Sequence, residues 1–99
     1  MEGQEGIVAL ISDGKLLAIE VRCVSDAGAY QSTSVPVLAN AVSFLGGPYV
    51  YPACKVDGHT VYTNNAPGMA MRGFGGPQGM FAIEYVIDDI ARELGKDPL

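Results

Sequence analysis

Ninety-nine residues make one domain-sized chain, since domains typically run to about 100–150 residues. With 48% hydrophobic and only 17% charged residues, it lies outside the composition of disordered chains. A net charge of −5 argues against a nucleic-acid module, which needs a basic stripe to match phosphates.

Residues 6–12 read as a short strand rich in Ile and Val, closed by Asp13-Gly14, the strongest short-range hairpin signal. Residues 15–24 form the return strand, with Leu17, Ile19, Val21 and Cys23 on one face and Leu16, Ala18, Glu20 and Arg22 on the other. Ser25-Asp26-Ala27-Gly28 ends it. Within 31–45, Val35, Leu38, Val42 and Leu45 recur at helical spacing, and Gly46-Gly47-Pro48 stops the helix. Residues 49–52 are expected as a short extended piece. Residues 54–56 and 60–63 flank Asp57-Gly58-His59 and predict a second hairpin, with His59 solvated in its turn. The last helix is predicted over 77–94. Pro77 suits its first position, and Ile83, Val86, Ile87, Ile90, Ala91 and Leu94 form one stripe; Gly95 and Pro98 terminate it. Glu84, Asp88, Asp89 and Glu93 read as its solvated face. The fold class is α+β: short antiparallel hairpins, one middle helix and a long C-terminal helix.

Residues 27–83 carry only three charges, Lys55, Asp57 and Arg72. A chain of this size buries roughly two-thirds of its unfolded surface. The middle is therefore expected to pack against a partner chain, a large cofactor or the rest of a longer polypeptide, unless its Ser, Thr, Asn and Gln solvate it. Alone, the chain is expected to self-associate. Cys23 and Cys54 form no C-x-x-C, and with one histidine they build no all-protein zinc site. Both are expected as small buried hydrophobes in a reducing compartment. The acidic start Met1-Glu2-Gly3-Gln4-Glu5 lacks the basic region of a signal peptide. Residues 35–50, the most apolar stretch, fall short of the roughly 20 needed to span a membrane. The expected location is cytoplasmic, with neither membrane nor nucleic acid as partner.

The segment 63–79 stands apart, with five glycines, two prolines and one charge, Arg72, immediately before and into a helix. Glycines permit close backbone approach to a ligand, and successive free N–H groups make an anion-binding concavity. A helix N-terminus adds unpaired donors, and an arginine suits an oxyanion. The composition equally suits an ordinary turn before a helix. It is neither G-x-G-x-x-G nor a P-loop, because Gln78 stands where the last glycine would and no Gly-Lys-Ser/Thr follows.

Ala70-Met71-Arg72-Gly73-Phe74-Gly75-Gly76-Pro77-Gln78-Gly79 strongly resembles the molybdenum-binding subunit of the molybdenum hydroxylases, the xanthine dehydrogenase and aldehyde oxidase family. The resemblance extends through Gly28-Ala29-Tyr30, Gly47-Pro48-Tyr49, Tyr62-Thr63-Asn64, Phe81-Ala82, Glu84, Ile87-Asp88 and Leu94-Gly95-Lys96-Asp97-Pro98. It implies that residues 1–99 are a single fragment of a larger molybdopterin-binding domain, with a cofactor loop at 66–79 and the following helix at 77–94. It further implies cofactor contacts at Ala70, Met71, Arg72 and Gly73, and a substrate-facing aromatic at Phe74. Xanthine-oxidising members hold the purine with an arginine 32 residues before the loop arginine; here that place is Asn40, which carries no charge.

The implied reaction is hydroxylation of an N-heterocycle, or oxidation of an aldehyde, with oxygen from water. The implied cofactor is molybdenum-molybdopterin, including its cytosine dinucleotide form. Electrons would leave through [2Fe-2S] clusters and FAD on other domains or subunits, whose ligand sets this sequence lacks. The family's glutamate base lies beyond this segment, so no catalytic residue and no direct metal ligand is expected within it. The implied partners are the rest of the molybdenum subunit, iron–sulfur and flavin domains, and a small-molecule substrate. A free-standing binding domain that keeps the loop without the chemistry is the other reading.

Overall fold

A computed structural model describes residues 4–98 of the chain. Five elements follow in the order β1 (Gln4–Ser12), β2 (Lys15–Gly28), α1 (Ser34–Phe44), β3 (Ala53–Tyr62) and α2 (Gly76–Leu94). The Asp13-Gly14 turn forms as expected: φ is 53° and 81° at its two residues, and β1 pairs antiparallel with β2 from Ser12↔Lys15 outward. Positive φ at both central positions matches the right-handed twist of the flanking strands. β2 does not stop at Val24 but runs on to Gly28, with Ile19, Val21, Cys23, Ser25 and Ala27 all buried on one face.

The second hairpin does not exist. Residues 53–62 are one continuous strand, β3, which pairs parallel to β2 in the register Ala18↔Ala53 to Ser25↔Thr60, giving the sheet order β1-β2-β3. Parallel neighbours need a crossover, and α1 supplies it. Gly58 misled because Asp-Gly is a turn signal, yet its φ is not positive. A Cβ there would stand 2.8 Å from Val42 Cγ2, so the glycine lets α1 lie close on β3. His59 accordingly sits exposed in a strand opposite Val24, not in a turn. Residues 49–52 carry no strand pairing, and Tyr49 and Tyr51 pack partly buried against the core.

Both helices pack together, α1 lying on β2 and β3. Ile19, Val21, Cys23, Leu38, Leu45, Ala82 and Ile83 make the core. Pro77 opens α2 and Gly95, at φ 66°, caps it through its N–H to Arg92 O, matching the expected boundaries. At the closest passage of the two helices a Cβ on Gly79 would stand 2.6 Å from the Ala41 carbonyl oxygen. The Tyr49 hydroxyl donates to Glu84 Oε2 at 2.7 Å, tying the chain after α1 to α2; that bond and burial push the phenol up to about 12. Cys23 is buried, but Cys54 is exposed, contrary to expectation, because β3 is an edge strand and is largely uncovered. Among the described residues no helix is long and apolar enough to cross a membrane.

Candidate functional site

The glycine-rich segment leaves the end of β3 and returns to α2 across the end of β2 and the start of α1. Its first half is laced down by backbone bonds. Thr63 N donates to Gly28 O at 3.0 Å, Ala29 N to Asn65 O at 3.2 Å, and Gly68 N to Ala27 O at 3.2 Å. Side chains from the start of α1 add to these: Ser34 Oγ donates to Gly68 O at 3.1 Å, and Thr33 Oγ1 accepts from Ala70 N at 3.0 Å.

Asp26 is the knot of this arrangement. Its carboxylate accepts from Thr63 Oγ1 at 2.5 Å, Asn65 Nδ2 at 2.6 Å and Gly28 N at 2.7 Å. Those three bonds, the Thr63 hydroxyl first, hold its carboxyl below the ordinary 3.8. Because the folded value is the lower one, the stabilisation is present above pH 3.8 and is lost as pH falls through the folded value. The thermal midpoint of the wild type should therefore drop more steeply on acidification below pH 3.8 than that of Asp26→Asn. Equal acid slopes would show that this carboxylate does not couple the loop to pH.

The second half of the loop turns tightly. Phe74 N donates to Met71 O at 2.8 Å and Gly76 N to Gly73 O at 3.0 Å. Gly73, Phe74 and Gly75 have φ of 89°, 52° and 88°, a run that only glycine adopts freely. Among the described residues, the N–H groups of Met71, Arg72 and Gly73 carry no hydrogen bond. The Arg72 side chain is exposed, and among the described residues no carboxylate pairs with it. Three successive donors and a guanidinium make a concentration of positive potential in a stretch without acidic side chains. An anionic group with several acceptor oxygens fits this donor set.

The structure brings the sequence-derived residues together only in part. Ala70, Met71, Arg72, Gly73 and Phe74 are consecutive on the exposed side of the loop. The Ala70 N–H, however, is already taken by Thr33. Asn40 reaches the same loop from α1: its Nδ2 donates to Phe74 O at 2.8 Å, with Gly73 O at 3.5 Å. Behind the loop, Gln78 Oε1 is buried without a hydrogen-bond partner among the described residues. It lines a cavity of about 50 Å3 with Ser25, Ser34, Met69 and Gly75, leaving an acceptor open to a ligand N–H or a water. Glu84 faces Tyr49 and serves packing.

Sequence reasoning missed Asp26, Thr33, Ser34 and Asn65. The signal available was Asp26 two residues before Gly28, the spacing of an Asx-turn, which the structure contains.

Residues 4–99 match the family described as the molybdopterin cofactor-binding domain. Xanthine dehydrogenase from Calliphora vicina is 44% identical over 92 residues, covering 93% of this chain and 7% of that protein. The nicotinate dehydrogenase large molybdopterin subunit from Eubacterium barkeri is 42% identical over 87 residues, covering 88% of this chain and 20% of that one. The solved aldehyde oxidoreductase from Desulfovibrio gigas superposes with a TM-score of 0.80 at 41% identity, over 87% of this chain and 10% of that one. The chain thus spans at most a fifth of the length of these relatives. The α+β arrangement matches a slice of that solved oxidoreductase, and this chain belongs to the molybdopterin cofactor-binding domain family.

Proposed function

We propose that the chain forms one wall of the molybdenum-cofactor site in a molybdenum hydroxylase that hydroxylates an N-heterocycle or oxidises an aldehyde. The observation that carries this reading is the run of open N–H groups on Met71, Arg72 and Gly73 beside the exposed Arg72 guanidinium. In this reading residues 1–99 are one fragment of the binding domain, with the cofactor loop at 66–79. Met71, Arg72 and Gly73 hold anionic oxygens of molybdopterin, alone or as its cytosine dinucleotide, through backbone and guanidinium. Ala70 contributes its carbonyl or methyl, its N–H being held by Thr33. When bound, that cofactor supplies the two-electron oxidation and the site for water-derived oxygen.

The chain's own residues orient and exclude water. The side chain of Phe74, 37% exposed, offers a flat wall to a substrate ring or aldehyde, and Asn40 is bonded to the backbone carbonyl of the same residue. A side chain beyond these residues abstracts the proton, because Glu84 is engaged with Tyr49. [2Fe-2S] and FAD centres on other domains or subunits would take up the electrons. The rest of the molybdenum subunit covers the large side chains left open here, including Val50 at 85%, Met71 at 76% and Phe81 at 74% exposure. The working location is the cytoplasm.

Metal and pterin analysis of the complete purified protein tests the reading, with about one molybdenum per chain expected. A complete protein free of molybdenum when grown with molybdate would overturn it. The 99-residue chain alone is expected to sediment as a dimer or larger at micromolar concentration. It should reduce no dye with xanthine, nicotinate or an aldehyde.

A further inference from the structure

We propose that Asn40 is a positioning residue that acts through Phe74: its amide holds a non-glycine residue in the left-handed backbone region and thereby sets the cofactor-facing turn. The clamp itself stands on geometry. Only its consequence for cofactor and substrate rests on the function proposed above.

Three successive residues, Gly73, Phe74 and Gly75, have φ of 89°, 52° and 88°. Glycine takes such angles freely, but a Cβ disfavours them, so Phe74 must be held there by its surroundings. Three contacts converge on it. Phe74 N donates to Met71 O at 2.8 Å, closing the turn from the loop side. Gly75 lies so close to α1 that a Cβ would overlap the Val37 carbonyl oxygen, so the chain cannot swing inward. Asn40, three residues beyond Val37 on the same helix, donates Nδ2 to Phe74 O at 2.8 Å and faces Gly73 O at 3.5 Å.

The chemistry requires an amide at this position. Two carbonyl oxygens facing one side chain demand a donor, and Asn supplies a neutral –NH2 on a stem short enough to stay rigid. A carboxylate of the same size would repel both oxygens. The same bonds fix which way the amide points, with nitrogen toward the loop and Oδ1 away from it. The –NH2 group is therefore committed to the protein and is not available to a substrate. With the carbonyls of residues 73 and 74 drawn toward α1, the open N–H groups of Met71, Arg72 and Gly73 stay free on the segment that precedes them.

The test is a rescue experiment in the complete protein, using wild type, Asn40→Leu, Phe74→Gly and the double variant. Trypsin cleavage after Arg72 reports opening of this turn, and cleavage after Arg22 and Lys55 in the sheet reports global unfolding. Loss of one hydrogen bond should raise cleavage after Arg72 in Asn40→Leu by about five- to tenfold, with Arg22 and Lys55 unchanged. Asn40→Asp, which keeps the size but not the donor, should do the same. Phe74→Gly should leave cleavage near the wild-type rate. The double variant should return toward it, because glycine holds the left-handed turn without the clamp.

Molybdenum content should follow the same pattern, lost in Asn40→Leu and recovered in the double variant. Wild-type cleavage in Asn40→Leu, an equal rise at all three sites, or failure of Phe74→Gly to rescue would each overturn the proposal. A wild-type protein without molybdenum would instead overturn the proposed function, while the cleavage pattern would still decide the clamp.

Discussion

Gly73→Val is expected to strip molybdenum from the complete protein to below about a tenth of the wild-type content, whereas Phe74→Ala keeps it. Two independent obstacles meet at residue 73. Its φ is 89°, which a β-branched side chain avoids, and a Cβ there would overlap the Pro77 ring that opens α2. The turn must therefore rearrange, and with it the segment that carries the open N–H groups of Met71, Arg72 and Gly73. Adding Pro77→Ala removes the ring but not the unfavourable φ, so only part of the metal should return. Phe74→Ala leaves the backbone bonds of the loop intact and removes the aromatic wall. A loss of about 10- to 100-fold in kcat/KM is expected from the misplaced substrate. The assignment of backbone to cofactor and ring to substrate is wrong if Phe74→Ala loses the metal or if Gly73→Val retains both metal and rate.

The second large effect concerns the helix pair. A Cβ on Gly79 would stand 2.6 Å from the carbonyl oxygen of Ala41. That oxygen belongs to the α1 backbone and cannot rotate away, so the helices must separate. Gly79→Val should lower the thermal midpoint by about 10–20 °C, the upper range for overpacking in a domain of this size. Gly79→Ala should show a smaller drop in the same direction. A midpoint for Gly79→Val within about 2 °C of the wild type would mean that α1 and α2 do not rely on this close passage.

What could be read from the sequence was whatever is decided locally. Asp13-Gly14 makes its own turn, and Pro77 and Gly95 bracket α2 through their own backbone preferences. Gly58 could not be read this way. Its neighbours Asp57 and His59 look like a turn, but its place is set by Val42 on α1, and only the assembled helix–sheet contact shows that the glycine is spacing rather than bending. Cys54 failed for a related reason: its burial depends on where the sheet ends, which no local pattern states.

The site divides along the same line. The run from Ala70 to Gly79 was recognisable as a block, because its residue types and order are contiguous. The residues that hold the block in place come from other elements. Asp26, Thr33, Ser34 and Asn40 are ordinary polar residues until the chain folds back on them. Asn40 was singled out only by its distance from Arg72, and the structure gives it a definite partner in Phe74 O.

The parallel pairing of β2 with β3 also fixes an order of assembly. β1 and β2 join through a two-residue turn and can pair as soon as both strands exist. β3 docks only after the 24 residues between Gly28 and Ala53, α1 among them, have been closed into a crossover, which carries an entropic cost. The bonds from Asp26 to Thr63 and Asn65 span 37 and 39 positions and depend on that docking. During synthesis, then, the donor-rich loop gains its shape only once β3 has reached β2. Until residue 65 is available to Asp26, a nascent chain has the loop's residues but no means of presenting them.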